Sequence, residues 1–405
     1  MSSLSLAPSA VLRPGVAFIL VVAALDVMSM GLVMPVLPKL VVHLTGSEAD
    51  AGWWTGVMVA VWAAAQFVCS PLIGCLSDRF GRRAVILLST AGLAADWALM
   101  ALAPNLWWLV LGRLIGGVTS SSFTAVFAYM ADITPPEGRA RAYGLIGAAF
   151  SAGFVLGPAL GGLLGHADPR LPFWIAAGLS GLAFLWGLVV LPESLPPDRR
   201  TPFNIRRANP FGALRMLSQP RLTRLASINF LVVFAHYLFA TVFVLYAARR
   251  FGWGAFEVGM LLAMAGALDV VVQSRIVGPL AKRFGERRTM LAGLLFGAAG
   301  TAAMGLAPSA PFLVAATVLN AAWGLAMPTG QALMTSLVSE REQGRLQGAV
   351  NGVGALAGIA APLAFGWIYG LTATDAPGTV FLAGGALLLL AAAIGRGAAA
   401  RAGTG

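Results

Sequence analysis

Apolar stretches of about twenty residues follow one another along the chain, each closed by a short polar break. The runs at 16–38, 52–73, 84–103 and 378–395 are the plainest, and each has roughly the ~20 residues that cross a bilayer core. Continued through the chain, the pattern predicts twelve helices. They lie near 16–40, 52–74, 84–103, 106–130, 141–165, 172–192, 221–248, 256–278, 287–307, 311–334, 345–369 and 378–396. The predicted fold is an all-α polytopic membrane protein.

The polar breaks themselves repeat. Residues 74–83 read GCLSDRFGRR and residues 278–288 read GPLAKRFGERR. One offset of 204 residues carries Gly74 onto Gly278, Arg79 onto Arg283, Phe80 onto Phe284 and Gly81 onto Gly285. It also carries Arg141 onto Arg345, Gly144 onto Gly348, Pro158 onto Pro362 and Gly162 onto Gly366. A period near half the chain is too long for a solenoid. It implies two pseudo-symmetric six-helix halves, 1–192 and 221–405, joined by the Pro- and Arg-rich linker 193–220. Parallel repeats of this kind enclose a substrate path between the halves.

Composition agrees with a lipid-solvated chain: 58% of residues are hydrophobic, 11% are charged, and the mean hydropathy is +0.82. A soluble domain carries about 25% charged residues. The net charge of +11 invites a nucleic-acid reading, but its placement argues against one. Of 27 basic residues, 21 fall in the amino terminus, in breaks on one side of the predicted membrane, or in the tail after 395. Only Lys39, Arg170, Arg249 and Arg250 fall in breaks on the other side, and Arg113 and Arg275 lie within spans. By the positive-inside rule both termini and the linker are expected in the cytoplasm. Cys69 and Cys75 lie near the end of the second span expected in the cytoplasm, where no structural disulfide is expected, and without a neighbouring His they are not expected to make a metal site. The first run contains Asp26 and is too long for a cleaved leader.

Thirteen of the 16 acidic residues fall in breaks or at span ends; Asp26, Asp96 and Asp269 do not. A carboxylate at a helix centre costs ~2.5–3.5 kcal/mol on insertion scales. Each of the three is therefore expected to face a wet cavity, pair with a cation or hold a proton. That makes them candidates for proton or substrate coupling, against the plainer reading of a hydrogen bond between helices. Arg113, in the fourth span, is the cation placed to answer one of them; it keeps its proton and so tunes a carboxyl.

The fifth span carries GFVLGPALGG, with Gly153, Gly157 and Gly161 at spacing four, on one helix face where a neighbouring backbone can approach closely. Pro158 is expected to bend that helix, and Gly162 follows. The eleventh span has Gly354, Gly358, Pro362 and Gly366. The expectation is that these glycines form a contact on which the halves rock, static packing being the alternative. Gln66, Asn229, His236, Gln273, Asn320 and Asn351 are suited either to line a cavity or to bridge helices, and His236 also to relay protons.

A phosphate-binding loop needs Gly-Lys-Ser/Thr, whereas Lys39 and Lys282 are followed by Leu and Arg. No His/Asp/Ser or metal cluster suggests an enzyme, and no cofactor is expected. Transport is then driven by a gradient. One proton crossing 100 mV releases ~2.3 kcal/mol, enough for roughly a 50-fold gradient of a neutral solute.

With these motifs the chain resembles the major facilitator superfamily over essentially its whole length. GCLSDRFGRR resembles the signature loop between spans two and three, Arg113 with Gly117 the fourth-span motif, and GFVLGPALGG the fifth-span motif of drug–proton antiporters. The resemblance is closest to the tetracycline–proton antiporters of bacterial inner membranes. It rests on LDVMSMGLVMPVLP at 25–38, SDRFGRRAVILLS at 77–89, LGRLIGGVT at 111–119, MADIT at 130–134 and RFGWGAFEVGMLLA at 250–263.

The resemblance implies that Asp26 and Asp96 are functional acids. It also implies that Gly74, Asp78, Arg79, Gly81, Arg82, Arg83 and Asp132 form a cytoplasmic gate. Two departures stand out. The eighth span has Asp269 where those exporters carry histidine, and the ninth has no acid where they place an aspartate. Asp269 is read as that carboxylate relocated. The expected protein is a proton-coupled exporter of amphiphilic small molecules, tetracycline-like or multidrug, monomeric and surrounded by membrane lipid. Its alternative is a transporter of a metabolite such as a sugar, siderophore or lipid on the same scaffold.

Overall fold

The computed structural model describes residues 14–120, 123–135, 139–202, 209, 217–339 and 342–396. The amino terminus, most of the predicted linker beyond Pro202, and the tail after Arg396 lie outside the described residues. Eleven described helical spans are long and apolar enough to cross a membrane. They are α1 (Gly15–Thr45), α2 (Glu48–Phe80), α3 (Arg82–Leu102), α4 (Leu106–Ile133), α5 (Ala142–Ala167), α6 (Leu171–Val190), α7 (Pro220–Thr241), α8 (Ala255–Phe284), α10 (Ala310–Thr335), α11 (Arg345–Thr372) and α12 (Thr379–Arg396). Between α8 and α10 lies α9 (Glu286–Gly305), whose first turn is spent on Glu286, Arg287 and Arg288. With it the chain has the twelve-helix arrangement.

The repeated motif is a helix junction more than a loop. α2 runs 33 residues, through the Asp78 and Arg79 of the predicted break, and ends only at Gly81. At 1.5 Å per residue that is about 50 Å, longer than the ~30 Å hydrocarbon core, so its charged last turns stand in water. Gly81 has φ 100°, ψ 154° and α3 begins at the next residue. Gly285 repeats the conformation at φ 82°, ψ 151° between α8 and α9. Only glycine enters this region without strain, which explains why the repeat keeps a glycine there.

Three spans are interrupted. α1 breaks into a turn over 34–36, where Pro35 and Pro38 supply no N–H. α8 contains a π-helical turn, Val272–Ile276, and α10 a 3-10 stretch, Ala321–Leu325, and these two irregular segments pack on each other.

α1 packs on α5 and α6, and α3 on α4 and α6; α7 packs on α11 and α12, and α9 on α10 and α12. The two groups touch chiefly through α2 against α11 and α5 against α8, pairs that the 204-residue offset interchanges. One hydrophobic cluster joins both groups. It includes Leu40, Met58, Trp97 and Met100 from the first and Phe243, Tyr246, Tyr369 and Phe381 from the second. All lie at the end remote from the GCLSDRFGRR junction. At the junction end the apolar clusters are separate: Phe18, Ile86 and Tyr129 in one half, Met290, Trp323 and Leu388 in the other. The molecule is joined at one end and parted at the other.

Candidate functional site

Close approach at the joined end depends on the two positions that the internal repeat matches. A Cβ on Gly162 would meet the carbonyl of Ala255 and lie 3.0 Å from Cα of Gly259 on α8, and a Cβ on Gly259 would meet the Pro158 carbonyl. Opposite, a Cβ on Gly366 would lie 2.5 Å from the Gly52 carbonyl, and Gly56 faces the Pro362 carbonyl. Pro158, Gly162, Pro362 and Gly366 thus seat α5 on α8 and α11 on α2.

The stripe Gly153, Gly157, Gly161 does something else. It packs on α1, against Ala24, Met28, Gly31 and Leu32. This corrects the expectation that the stripe itself is the contact between halves. Gly358 likewise meets Tyr237 of its own half, while Gly354 has nothing within 4 Å. Spacing four finds a close-packed face but does not name the helix that covers it. Two polar contacts complete the joined end: Glu48 pairs with Arg249 at 3.5 Å, and Lys39 donates to the Trp253 carbonyl at 3.3 Å.

The three intramembrane carboxylates have three environments. Asp96 is wholly buried between α3 and α4, with Arg113 Nη2 3.5 Å from Oδ2. Gly112 and Gly116 make room for it: a Cβ on Gly112 would lie 2.8 Å from Oδ1, and one on Gly116 would collide with Oδ2. The indole of Trp97 lies 5.1 Å from the Arg113 guanidinium. Among the described residues neither carboxylate oxygen accepts a hydrogen bond, and Arg113 Nε also has no partner. The pair is enclosed by protein.

Asp26, on α1, is half-buried and makes no hydrogen bond or ion pair among the described residues. It stands roughly opposite the face of α1 that packs on α5, since Ala24, Met28 and Gly31 meet the glycine stripe and Asp26 is two residues from Ala24.

Asp269, on α8, is half-buried just before the π-turn. Its Oδ2 accepts from Gln273 Nε2 at 2.7 Å, and Gly324 in the 3-10 stretch of α10 packs directly on Oδ1. His236 of α7 is close enough to act on it electrostatically. The His236 ring is exposed, 5.6 Å from Trp323 and 6.1 Å from Phe239. The π-turn and the 3-10 stretch, both departures from regular helix that recur at functional sites, therefore bracket one carboxylate.

Of the other polar candidates, Gln273 and Asn351 are exposed. Asn351 ends a ladder in which Gln331 donates to Gln347 at 2.7 Å and Gln347 to Asn351 at 3.1 Å, linking α10 to α11. Gln66 is partly buried on α2, and Asn229 on α7. Asn320 accepts from Thr301 at 3.0 Å and joins α10 to α9, so it serves packing and not a cavity wall. Sequence reasoning misses Gln331, Gln347, Glu48 and Arg249. The first two lie at a span end that the apolar pattern hides, and surface charges such as the last two carry no local signal.

The gate charges bind within their own half. Arg82 reaches Asp78 at 2.6 Å and Asp132 at 3.3 Å, and it donates to Ser77 at 2.5 Å. Glu193 Oε1 accepts from the backbone N–H of Arg82 at 2.8 Å and of Ser194 and Leu195 at 3.0 Å. It occupies the space a side chain at Gly81 would need. Arg83 Nη2 donates to the Leu188 carbonyl at 2.7 Å, Ser194 to Asp132 at 3.1 Å, and Arg79 lies over Phe80. Gly74 packs on Thr124 of α4. The start of the predicted linker is thus a clasp on α2 and α3. The second copy of the motif reverses signs, with Lys282 and Glu286 where the first has Asp78 and Arg82, and neither forms an ion pair within the described residues.

At the parted end a Cβ on Gly144 or Gly147 of α5, Gly278 of α8 or Gly354 of α11 would meet nothing within 4 Å among the described residues. Gln273, Ser274, Gln347 and Asn351 are exposed beside them. The arrangement is a cleft closed at one end, with polar side chains along its open walls.

A sequence model of the Major Facilitator Superfamily matches residues 19–276 and 225–399. The chain is 38% identical to the Tetracycline resistance protein, class C, of Escherichia coli, over 95% of this chain and 97% of that protein. It is 38% identical to the Tetracycline resistance protein, class G, of Vibrio anguillarum, over 94% of this chain and 96% of that protein. Among solved structures it is similar to the human organic anion transporter MFSD10 (TETRAN), at 26% identity and a TM-score of 0.68, over 96% of this chain and 100% of that one.

Proposed function

The chain belongs to the Major Facilitator Superfamily, and from that premise we propose how its two halves move a tetracycline-like amphiphile against protons. It is a multi-pass membrane transporter of the drug-efflux kind and not an enzyme. The observation that carries the substrate reading is the match, over nearly the whole of both chains, to proteins that confer tetracycline resistance.

The basic junction end is the cytoplasmic face of the inner membrane, and both termini lie there, because 21 of the 27 basic residues gather on that side. The described arrangement is then inward-open, and substrate enters between the cytoplasmic halves of α5, α8 and α11. The division at residues 193–220 separates two rigid bodies. They rock about the α2–α11 and α5–α8 contacts, where Gly162 and Gly366 let backbones touch and roll. Opening outward separates Glu48 from Arg249 and Lys39 from Trp253. It brings the Asp78, Arg79, Arg82, Arg83 and Asp132 cluster against the other half as the closed gate.

Asp26 and Asp269 carry the coupling. Each is polar, half-buried and without an ion-pair partner among the described residues, so each can exchange a proton or meet a cationic substrate as access alternates. Gln273 holds Asp269 in place, and His236 lies within electrostatic reach of it. Asp96 and Arg113 position α3 against α4, so the coupling role expected of Asp96 passes to the two half-buried acids. The transporter works as a monomer, its apolar faces covered by lipid.

The test is accumulation of tetracycline and of unrelated amphiphilic drugs in an efflux-deficient bacterium, with and without a protonophore, beside an Asp26→Asn control. Exclusion of tetracycline that the protonophore and Asp26→Asn both remove supports the reading. Exclusion only of other drugs moves the substrate, and exclusion of none by a well-expressed protein returns the search to metabolites.

A further inference from the structure

The cytoplasmic end of the second half holds a cavity of about 450 Å³ that the transport reading does not use. It lies among the start of α7, the start of α9 and the ends of α10 and α12. Its floor is apolar, from Leu225, Ile228, Met290, Leu333 and Leu337, and its rim carries Arg221, Arg224 and Arg287. No carboxylate lines it among the described residues. Arg221 and Arg224, three residues apart on α7, share one helix face and make no ion pair or hydrogen bond among the described residues. Arg287 is fixed by the carbonyls of Gly395, at 2.8 Å, and Arg396, at 2.7 Å, which are neutral acceptors that leave its charge uncompensated.

The first half shows that the fold does not require such a cavity. At the position matching Leu333 the repeat has Tyr129, wholly buried in the apolar cluster, and at the position matching Ser336 it has Asp132. Ala17 and Leu20 stand where the second half has Arg221 and Arg224. Among the described residues, the second half alone combines an open space, an apolar floor and three guanidinium groups without an acid.

We propose that this cavity binds the phosphate of an acidic phospholipid of the inner leaflet, with its glycerol and upper acyl carbons on the apolar floor. Guanidinium groups recognise phosphate oxygens through paired N–H donors, and basic pockets between spans on the cytoplasmic side suit acidic headgroups. A free phosphate would satisfy the arginines but leave the floor unused, which favours the lipid. Bound there, the lipid ties the second half to the leaflet while the first half rocks.

The test is native mass spectrometry of the purified full-length protein after exchange into micelles carrying phosphatidylglycerol, cardiolipin or phosphatidylethanolamine. Two variants accompany it: Arg221→Gln/Arg224→Gln, which removes the charge, and Leu333→Tyr, which fills the space with all arginines kept. Arg288→Gln, outside the cavity, is the control. The wild type and the control retain the acidic lipids over phosphatidylethanolamine. Retention falls roughly 30-fold in the arginine variant, the change expected from about 1 kcal/mol for each of two charges near the surface. Leu333→Tyr loses it as well. Retention equal to wild type in both variants, or no preference for acidic lipid, overturns the proposal. Stabilisation of the wild type by inorganic phosphate without lipid retention overturns the lipid as the source and leaves a free-anion site. None of these readouts depends on which drug is exported.

Discussion

Asp96 and Asp269 stand in helices that flank the two repeated junctions, one on α3 after the first and one on α8 before the second, yet their surroundings differ in kind. Asp96 is sealed between two helices, carries its own arginine and has two glycines cut away to admit it. Asp269 is half-buried just before irregular helix, bonded by the Gln273 amide, within electrostatic reach of His236, and beside a cleft. An acid sealed beside a fixed cation is held to one set of neighbours, an arrangement suited to packing. An acid answered only by neutral or titratable groups can change its charge as water reaches it. On the reading proposed above, their partners assign intramembrane carboxylates to two uses, which sequence position alone does not separate.

Breaking the sealed pair should have the largest effect. Arg113→Ala leaves a buried carboxylate without a cation, and such a loss costs about 3–5 kcal/mol. The folded protein recovered from membranes should fall sharply, as read by fluorescence-detected size exclusion on heating. Asp96→Leu combined with Arg113→Met should recover much of it. A variant Arg113→Ala with unchanged abundance and lost export would move Asp96 to the coupling side of the comparison.

The open carboxylates should behave in the opposite way. Asp269→Asn and Asp26→Asn should leave abundance unchanged while proton-driven export falls by roughly tenfold or more, within the span of ordinary coupling free energies. Everted vesicles with an imposed pH gradient read this directly. Normal export by both variants would remove these residues from the proton path.

Next comes the distinction between the two glycine faces. Gly162→Leu overpacks the contact of α5 with α8, at about 1–3 kcal/mol, and should slow transport with modest loss of protein. Gly157→Leu overpacks α5 on α1 within one half and should lower the melting temperature, leaving the rate per folded molecule nearly intact. The smallest effect is expected at the joined end. Glu48→Gln breaks a partly exposed ion pair worth about 0.2–1 kcal/mol. It should raise outward accessibility of a cysteine placed at Val42 only a few-fold, as measured by labelling with a membrane-impermeant maleimide.

Much of the fold was legible because lipid admits only helices and closed barrels, and continuous apolar runs near twenty residues fit the helix and report spans directly. The 204-residue repeat was equally open to reading, since identical residues at Gly81 and Gly285 serve the same positive-φ junction. Span ends were less so. α2 continues to Phe80 because a helix in water tolerates Asp78 and Arg79, which hydropathy counts as a break. The candidate acids were visible as charges in apolar runs, and Arg113 as a cation for one of them, but not which acid it answers, nor that His236 lies within electrostatic reach of Asp269, because both approaches are made between different helices. The basic cavity was invisible for the same reason, its arginines coming from the starts of two different helices.

What the sequence determined by itself was local and periodic: twelve spans, two repeated halves, the side that carries the basic charge, and the three acids that need an explanation. The tertiary structure alone decided which helix covers each glycine face, which acid is sealed by a cation, and where the halves part. The physical reason is that periodicity and hydropathy act within one segment. Pairing of charges, close backbone contact and an open cleft depend on which segments meet, and that choice is made by packing of all twelve together.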